Sequence, residues 1–222
     1  MPPLCQYERM PARSAIQPAI SSPFQSLESR EALRIEKRDA LLRAAVGMFN
    51  ERGFHATSLD DVAASLGVTK PVIYNYLGNK DQVLFECVRM GLGQLRGAAE
   101  RSQQVGGSGL DRLKAFLRLY AEVTMDDFGR CVIRTPDEVL SPGARTQFRA
   151  LKTEIDATMR GMIEEAVADD SAQVKDVRLT AFTLAGALNW PARWFRPEGP
   201  MSAQQVAHDI VELLCSGLSP NR

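Results

Sequence analysis

The chain has 222 residues, of which 45% are hydrophobic and 24% charged, a composition typical of a globular protein with one small and one larger domain. Its 27 basic and 27 acidic residues give a formal net charge of zero, which excludes a protein that coats nucleic acid through bulk charge but not one that binds through a local patch. The sequence has no long apolar run and no signal-peptide core, which predicts a cytoplasmic protein without a membrane span. Its four cysteines are widely separated and form no CxxC pair, which predicts a reduced protein with no metal site, and no cofactor is expected.

The first thirty residues contain scattered prolines among serine and glutamine, with no helical or strand period. Such a segment buries too little apolar surface to offset the entropy lost on ordering. We therefore predict a disordered arm over residues 1–30 and a short tail over residues 218–222.

The first predicted helix covers about residues 33–52, where apolar side chains recur at helical spacing and Gly53 favours a stop. Ser58 with Asp61 three residues later is typical of a capping box, so a second helix is expected to follow.

A tight turn at Gly67 leads to a third predicted helix, with Thr69 as its cap and Pro71 in its first turn, where a missing N–H is tolerated. Gly78 ends this helix after about two turns. Three short helices over residues 31–79, the last two joined by a tight turn, indicate a helix-turn-helix domain.

The remaining chain, residues 80–217, also predicts helices. Asn79 and Gln82 form a second capping-box pattern before a long helix that ends near Gln104. Later helices begin at Ser141-Pro142 and near residues 177 and 203. Cys131 to Thr135 is the one short strand candidate, so the predicted fold class is all-α, with the helix-turn-helix domain followed by a larger helical domain.

The run from Gly53 to Lys80 has the sequence GFHATSLDDVAASLGVTKPVIYNYLGNK. It resembles the DNA-binding signature of TetR-family transcriptional regulators in its Gly-Val-Thr turn, the Tyr-x-Tyr of the third helix and the lysine that opens the fourth. Leu77 departs from the usual Phe, which should affect packing more than DNA contact, and Pro71 departs from the usual small residue but is compatible with a first turn.

This resemblance implies a DNA-contacting set that consists of Thr57, Thr69, Lys70, Tyr74, Asn75, Tyr76 and Lys80. Thr57, Tyr76 and Lys80 would contact phosphates, and the others would lie at or near base edges. Asn pairs well with adenine and Lys with guanine, while a lysine at a helix N-terminus suits a phosphate. A core position for Tyr76 and a merely solvated Lys80 remain alternatives.

In this family the region after the fourth helix binds an effector and forms a dimer. The segment 188–199 is similar to that of members controlling fatty-acid or steroid catabolism, several of which respond to acyl-CoA thioesters. Two apolar late helices, about 177–195 and 203–216, would pair across a two-fold axis or pack within one chain. The candidate interface residues are Phe182, Ala185, Leu188, Trp190, Trp194, Ile210, Leu213 and Leu214.

An effector pocket is expected among helices four to eight, with core packing as the alternative for each lining residue. The candidates are Leu92, Leu95, Phe116, Tyr120, Phe128, Phe148, Leu151, Met159 and Phe182.

The predicted function is a homodimeric repressor that binds a palindromic operator and is released by a small hydrophobic molecule, with acyl-CoA a candidate. An activator of the same fold and a helical adaptor without operator binding remain alternatives, the second because residues 36–82 are electrically neutral. An enzyme is disfavoured, because there are only two histidines and no nucleophile or phosphate-loop motif.

Overall fold

The structure is a computed structural model that describes residues 27–216, and all its regular elements are helical. The α-helices are α1 Leu27–Arg52, α2 Leu59–Ser65, α3 Lys70–Leu77, α4 Lys80–Gln103, α5 Gly109–Met125, α6 Asp127–Arg134, α7 Pro142–Ala168, α8 Val177–Asn189, α9 Pro191–Trp194 and α10 Ala203–Ser216. A short 3-10 helix, Asp137–Val139, precedes α7. Among these residues no helix is both long and apolar enough to span a membrane.

Three boundaries differ from the sequence prediction. Helix α1 begins at Leu27, earlier than the predicted start, so the last residues assigned to the arm are helical; residues 1–26 and the tail 218–222 lie outside the described residues. The strand candidate Cys131–Thr135 belongs mostly to α6. The late segment 177–195 divides into α8 and α9, because Pro191 cannot continue the hydrogen-bond ladder of α8.

The predicted capping boxes are present. The Ser58 hydroxyl accepts from the Asp61 N–H, and the Asp61 carboxylate accepts from the Ser58 N–H at 2.9 Å. Asn79 and Gln82 make the same reciprocal pair at the start of α4. Thr69 is the N-cap residue of α3, but its side chain makes no capping hydrogen bond, contrary to the prediction.

The two domains share one continuous core. Helices α1–α3 pack around Leu42, Val46 and Ile73, all fully buried. Helix α5 lies at the centre of the larger domain and contacts α4, α6, α7, α8, α9 and α10. Helix α4 leads from the first domain into the second, and α6 also contacts both, since it packs on α1 and on α4. Movements in the larger domain can therefore reach α1–α3 through two helices.

Candidate nucleic-acid interface and ligand pocket

Helix α3 has one buried edge and one exposed polar edge. Ile73 and Leu77 face the core, while Lys70 and Asn75 are exposed and Tyr74 is 48% exposed. The buried pair lies four residues apart, one helical turn, so it anchors the helix along a single line. An anchored helix of about two turns with polar side chains pointing outward has the size and chemistry of a major-groove recognition helix.

Lys70 is held by an ion pair to α2. Its ammonium lies 2.6 Å from a carboxylate oxygen of Asp60, and both groups are solvent-accessible. The hydrogen bond from Lys70 to Asp60 raises the pKa of the lysine, so it stays charged. The pair also explains part of the neutral charge of this domain, because Asp60 offsets one of the cations expected to face DNA.

Lys80 lies at the first position of α4, beside the loop after α1. Its ammonium is 4.3 Å from the centre of the Phe54 ring and 3.5 Å from the carbonyl oxygen of His55. Partial burial lowers the pKa of Lys80. A shallow surface depression brings Lys80 together with Tyr74 and Asn79, so one face collects the recognition helix and the N-terminus of α4.

Thr57 does not lie where the family pattern implies. Its side chain is 1% exposed, and its hydroxyl contacts the carbonyl oxygens of Met48 at 3.2 Å and Gly53 at 3.0 Å. A hydroxyl committed to the C-terminal end of α1 is not presented to a phosphate. Tyr76 is half-buried against the core, and Thr69 is exposed at the start of α3.

A cavity of about 380 Å³ lies between helices α4, α5, α6, α7 and α8. Five of the predicted residues line it: Leu92, Leu95, Tyr120, Met159 and Phe182. Four do not, because Phe116 and Phe148 are fully buried core, Phe128 packs beneath the Arg43 guanidinium and Leu151 lies outside the lining. The lining residues that sequence reasoning did not place in the pocket are Val132, Ile133, Lys152, Ile155, Asp156, Ala185 and Asn189.

Polar groups enter this apolar cavity at two places. The Tyr120 hydroxyl donates to Asn189 Oδ1 at 3.1 Å, and burial raises the pKa of Tyr120 to about 12, so it remains a neutral donor. Lys152 lies 4.0 Å above the Phe148 ring and 3.0 Å from the Asp137 carboxylate. The polar lining on α7, Lys152 and Asp156, is spaced one turn apart, a signal that the search for apolar residues alone overlooked.

The apolar residues of the late helices divide into an exposed and a buried set. The exposed set, which we call the α8–α10 apolar face, has side chains between 46% and 64% exposed and consists of Leu179, Phe182, Trp190, Trp194 and Leu213. Ala185, Ile210 and Leu214 are half-buried. Leu188 is fully buried, and so the prediction that it contacts a partner is wrong.

Comparison with known proteins identifies both halves of the chain. Residues 41–87 match the family model "Bacterial regulatory proteins, tetR family", and residues 106–218 match "Tetracyclin repressor-like, C-terminal domain". The transcriptional repressor KstR2 of Rhodococcus jostii is 30% identical over 191 residues, which cover 82% of this chain and 91% of that protein.

Solved structures show the same fold. PfmR of Thermus thermophilus, a TetR-family regulator, has a TM-score of 0.74 and 30% identity over 81% of this chain and 99% of its own. AibR, solved in complex with isovaleryl coenzyme A and operator DNA, has a TM-score of 0.71 and 23% identity over 80% of this chain and 97% of its own. The chain therefore belongs to the TetR family of bacterial transcriptional regulators.

Proposed function

We propose that this protein is a homodimeric repressor that places α3 in the major groove of a palindromic operator and leaves it when a hydrophobic small molecule fills the cavity between α4 and α8. The observation that carries the proposal is the exposed edge of α3, where Lys70, Tyr74 and Asn75 point away from a helix fixed by Ile73 and Leu77.

The polar edge supports a division of roles at the DNA. Asn75 and Lys70 carry the donors and acceptors that read purine edges, and Tyr74 adds contact surface. Lys80 combines its charge with the N-terminus of α4, where unpaired backbone N–H groups favour a phosphate. Thr69 and Tyr76 are proposed as contacts at the ends of α3, and Thr57 acts by holding the loop after α1.

Dimerisation is supported by the α8–α10 apolar face. Two copies of this face related by a two-fold axis would bury side chains such as Trp190 and Leu179, which are more than half exposed. A two-fold dimer presents two recognition helices, which must lie about 34–36 Å apart to enter successive major grooves. The two-fold symmetry predicts a palindromic operator, and this spacing sets the separation of its half-sites.

The cavity supports a flexible apolar effector. Its volume is in the range of small-molecule sites, and apolar side chains, Met159 among them, make up most of its walls. An acyl chain fits this chemistry, and AibR, a structural neighbour, binds isovaleryl coenzyme A. Lys152 and the Tyr120 hydroxyl would orient the polar end of an acyl thioester.

One observation favours a second candidate, a helical adaptor without operator binding. The only lysine within α3 is paired with Asp60, so its charge is partly neutralised before any DNA arrives. The same test decides between the two candidates.

The experiment is footprinting of the purified protein on the DNA flanking its own gene, with competitor DNA at physiological salt. We expect a protected, approximately palindromic site. Asn75→Ala should abolish this protection. The control Gln204→Ala, which removes an exposed side-chain amide in α10, should leave it intact. A site overlapping the promoter supports repression, and one upstream supports activation. Protection that competitor removes everywhere would contradict operator binding and favour the adaptor.

A further inference from the structure

Helix α6 touches both domains along its short length. At its start, the Asn50 side-chain amide of α1 donates to the Asp127 carbonyl at 2.8 Å, and the Arg43 guanidinium lies 5.4 Å from the centre of the Phe128 ring. Further along, Val132 and Ile133 line the cavity. The next residue, Arg134, ends the helix. A displacement of α6 would therefore move the cavity wall and the contacts to α1 together.

Arg134 bonds the ends of two other helices at once. Its Nη1 donates to the Asn50 carbonyl of α1 at 2.8 Å, and its Nε and Nη2 donate to the carbonyls of Ala192 and Arg193 in α9 at 2.9 Å and 3.3 Å. Carbonyls in the last turn of a helix have no partner within that helix. A single guanidinium thus supplies donors to orphan acceptors in both domains.

Arg134 donates to carbonyls at the ends of α1 and α9, next to carbonyls that already accept from backbone N–H groups. In the last turn of α1 the Phe49 carbonyl accepts from the Gly53 N–H, and in α9 the Pro191 carbonyl accepts from the Phe195 N–H. Asn50, Ala192 and Arg193 receive their donors from Arg134. A planar guanidinium with five N–H donors can serve three carbonyls that belong to two different helices.

Among the described residues, the charge of Arg134 is balanced by backbone carbonyls rather than by an acidic side chain. Burial, then the nearby Arg130 and Arg193, lowers the pKa of Arg134, so its side-chain neighbours disfavour the cation. Within residues 27–216, the hydrogen bonds of its guanidinium go to backbone carbonyls, at helix ends that carry partial negative charge. These hydrogen bonds persist only while α1 and α9 keep their places.

We propose that Arg134 is a positioning residue that latches the DNA-binding domain to the effector domain by joining the C-terminal ends of α1 and α9. It sets the orientation of α1–α3, and hence of the recognition helix, without touching DNA or ligand. The latch lies one residue from the cavity wall and joins α9, which carries Trp194 of the α8–α10 apolar face.

The test compares Arg134→Met with Arg145→Met. Arg145 also donates to three backbone carbonyls, those of Asp137, Glu138 and Leu140, but all three belong to the larger domain. Loss of either side chain removes similar bonds and should lower the melting temperature similarly. Only Arg134 joins the two domains, so the control separates a positioning role from a structural one.

The readout is the distance distribution between two spin labels attached by bio-orthogonal chemistry, so that the native cysteines stay unmodified, in doubly labelled chain diluted with excess unlabelled chain so that the distances arise within one chain. The labels replace Ala64 in α2 and Glu164 in α7, both exposed. We expect a narrow distribution in the parent and in Arg145→Met, and a clearly broadened or shifted one in Arg134→Met. Arg134→Lys, which keeps the charge but not the fork, should broaden it as well.

Distributions in the Arg134 variants that match the parent would overturn the latch, and so would equal broadening in Arg145→Met. If Arg134→Met does not fold, Arg134→Lys decides by the same criterion. The measurement uses neither DNA nor ligand. A failure to find an operator would therefore count against the proposed function alone, while the distances decide the latch.

Discussion

The cations that face the expected DNA surface are each held by the protein before binding. Lys70 is paired with Asp60, and Lys80 lies between the Phe54 ring and the His55 carbonyl. Such contacts restrict the flexible lysine side chains, and the ion pair with Asp60 also reduces the positive charge that Lys70 offers to DNA. We therefore expect affinity for DNA to depend also on residues that do not themselves contact it.

Asp60→Asn should strengthen DNA binding, because it releases Lys70 from its ion pair and removes a negative charge that faces the phosphates. Lys70→Ala should weaken binding. Titration of DNA binding over a range of salt concentrations measures both effects. Asp170→Asn, which removes a carboxylate from the larger domain, serves as the control; no change on freeing Lys70 would show that the pair plays no part in DNA binding.

Thr57, which the family pattern assigns to a phosphate contact, has its hydroxyl directed at backbone carbonyls within the protein. Thr57→Val should lower the free energy of unfolding by about 1–2 kcal/mol, because it removes the buried hydroxyl that contacts the Met48 and Gly53 carbonyls. Thr57→Ser keeps the hydroxyl and should retain most of the stability. Denaturant unfolding of the three proteins measures this, and equal losses in both variants would show that the methyl group, not the hydroxyl, matters.

At the scale of elements, α4 and α6 lie in close contact at Gly91. A Cβ on this residue would lie 3.0 Å from Val132 Cγ2 and 3.4 Å from the Phe128 carbonyl oxygen, whereas one on Gly93 would meet nothing within 4 Å. The absence of a side chain at Gly91 lets α6 approach the helix that leads from the DNA-binding domain. The separation of α4 and α6 is therefore set by this residue.

Gly91→Ala should destabilise the protein by about 1–3 kcal/mol, because the added methyl forces α4 and α6 apart. Gly93→Ala provides the matched control in the same helix. It should stabilise the protein by about 0.5–1 kcal/mol, since alanine loses less conformational entropy in a helix than glycine. Thermal or denaturant unfolding distinguishes them, and a stabilising Gly91→Ala would mean that the two helices are free to separate.

At the scale of the whole molecule, the sequence was most informative where local physics decides the structure. Capping at Ser58 and Asn79 depends on residues three positions apart, and both boxes formed. The family resemblance, now confirmed, implies a transcription factor rather than an enzyme. The all-α class likewise agrees with the structure.

The sequence was less informative where a side chain's role depends on distant partners. Phe116 and Met159 lie on apolar helix faces, yet only Met159 lines the cavity, because that depends on how α5 and α7 cross. Leu188 and Trp190 lie in one apolar stretch of sequence, yet Leu188 is buried and Trp190 is exposed. The difference comes from packing against α5, where the Thr124 hydroxyl donates to the Leu188 carbonyl. Arg134 carried no sequence signal, since its partners are backbone atoms far along the chain.

The α8–α10 apolar face makes the last prediction, which concerns assembly. Trp190→Glu introduces a charge where two copies would meet, and burying an unpaired carboxylate at an interface is costly. We expect the parent to sediment as a dimer and Trp190→Glu as a folded monomer with an unchanged helical circular dichroism spectrum. The control is Val105→Glu, at a similarly apolar exposed position in the loop between α4 and α5, which should remain dimeric. Operator affinity should fall with the dimer, because a monomer engages only one half-site; a Trp190→Glu protein that stays dimeric would place the two-fold axis elsewhere.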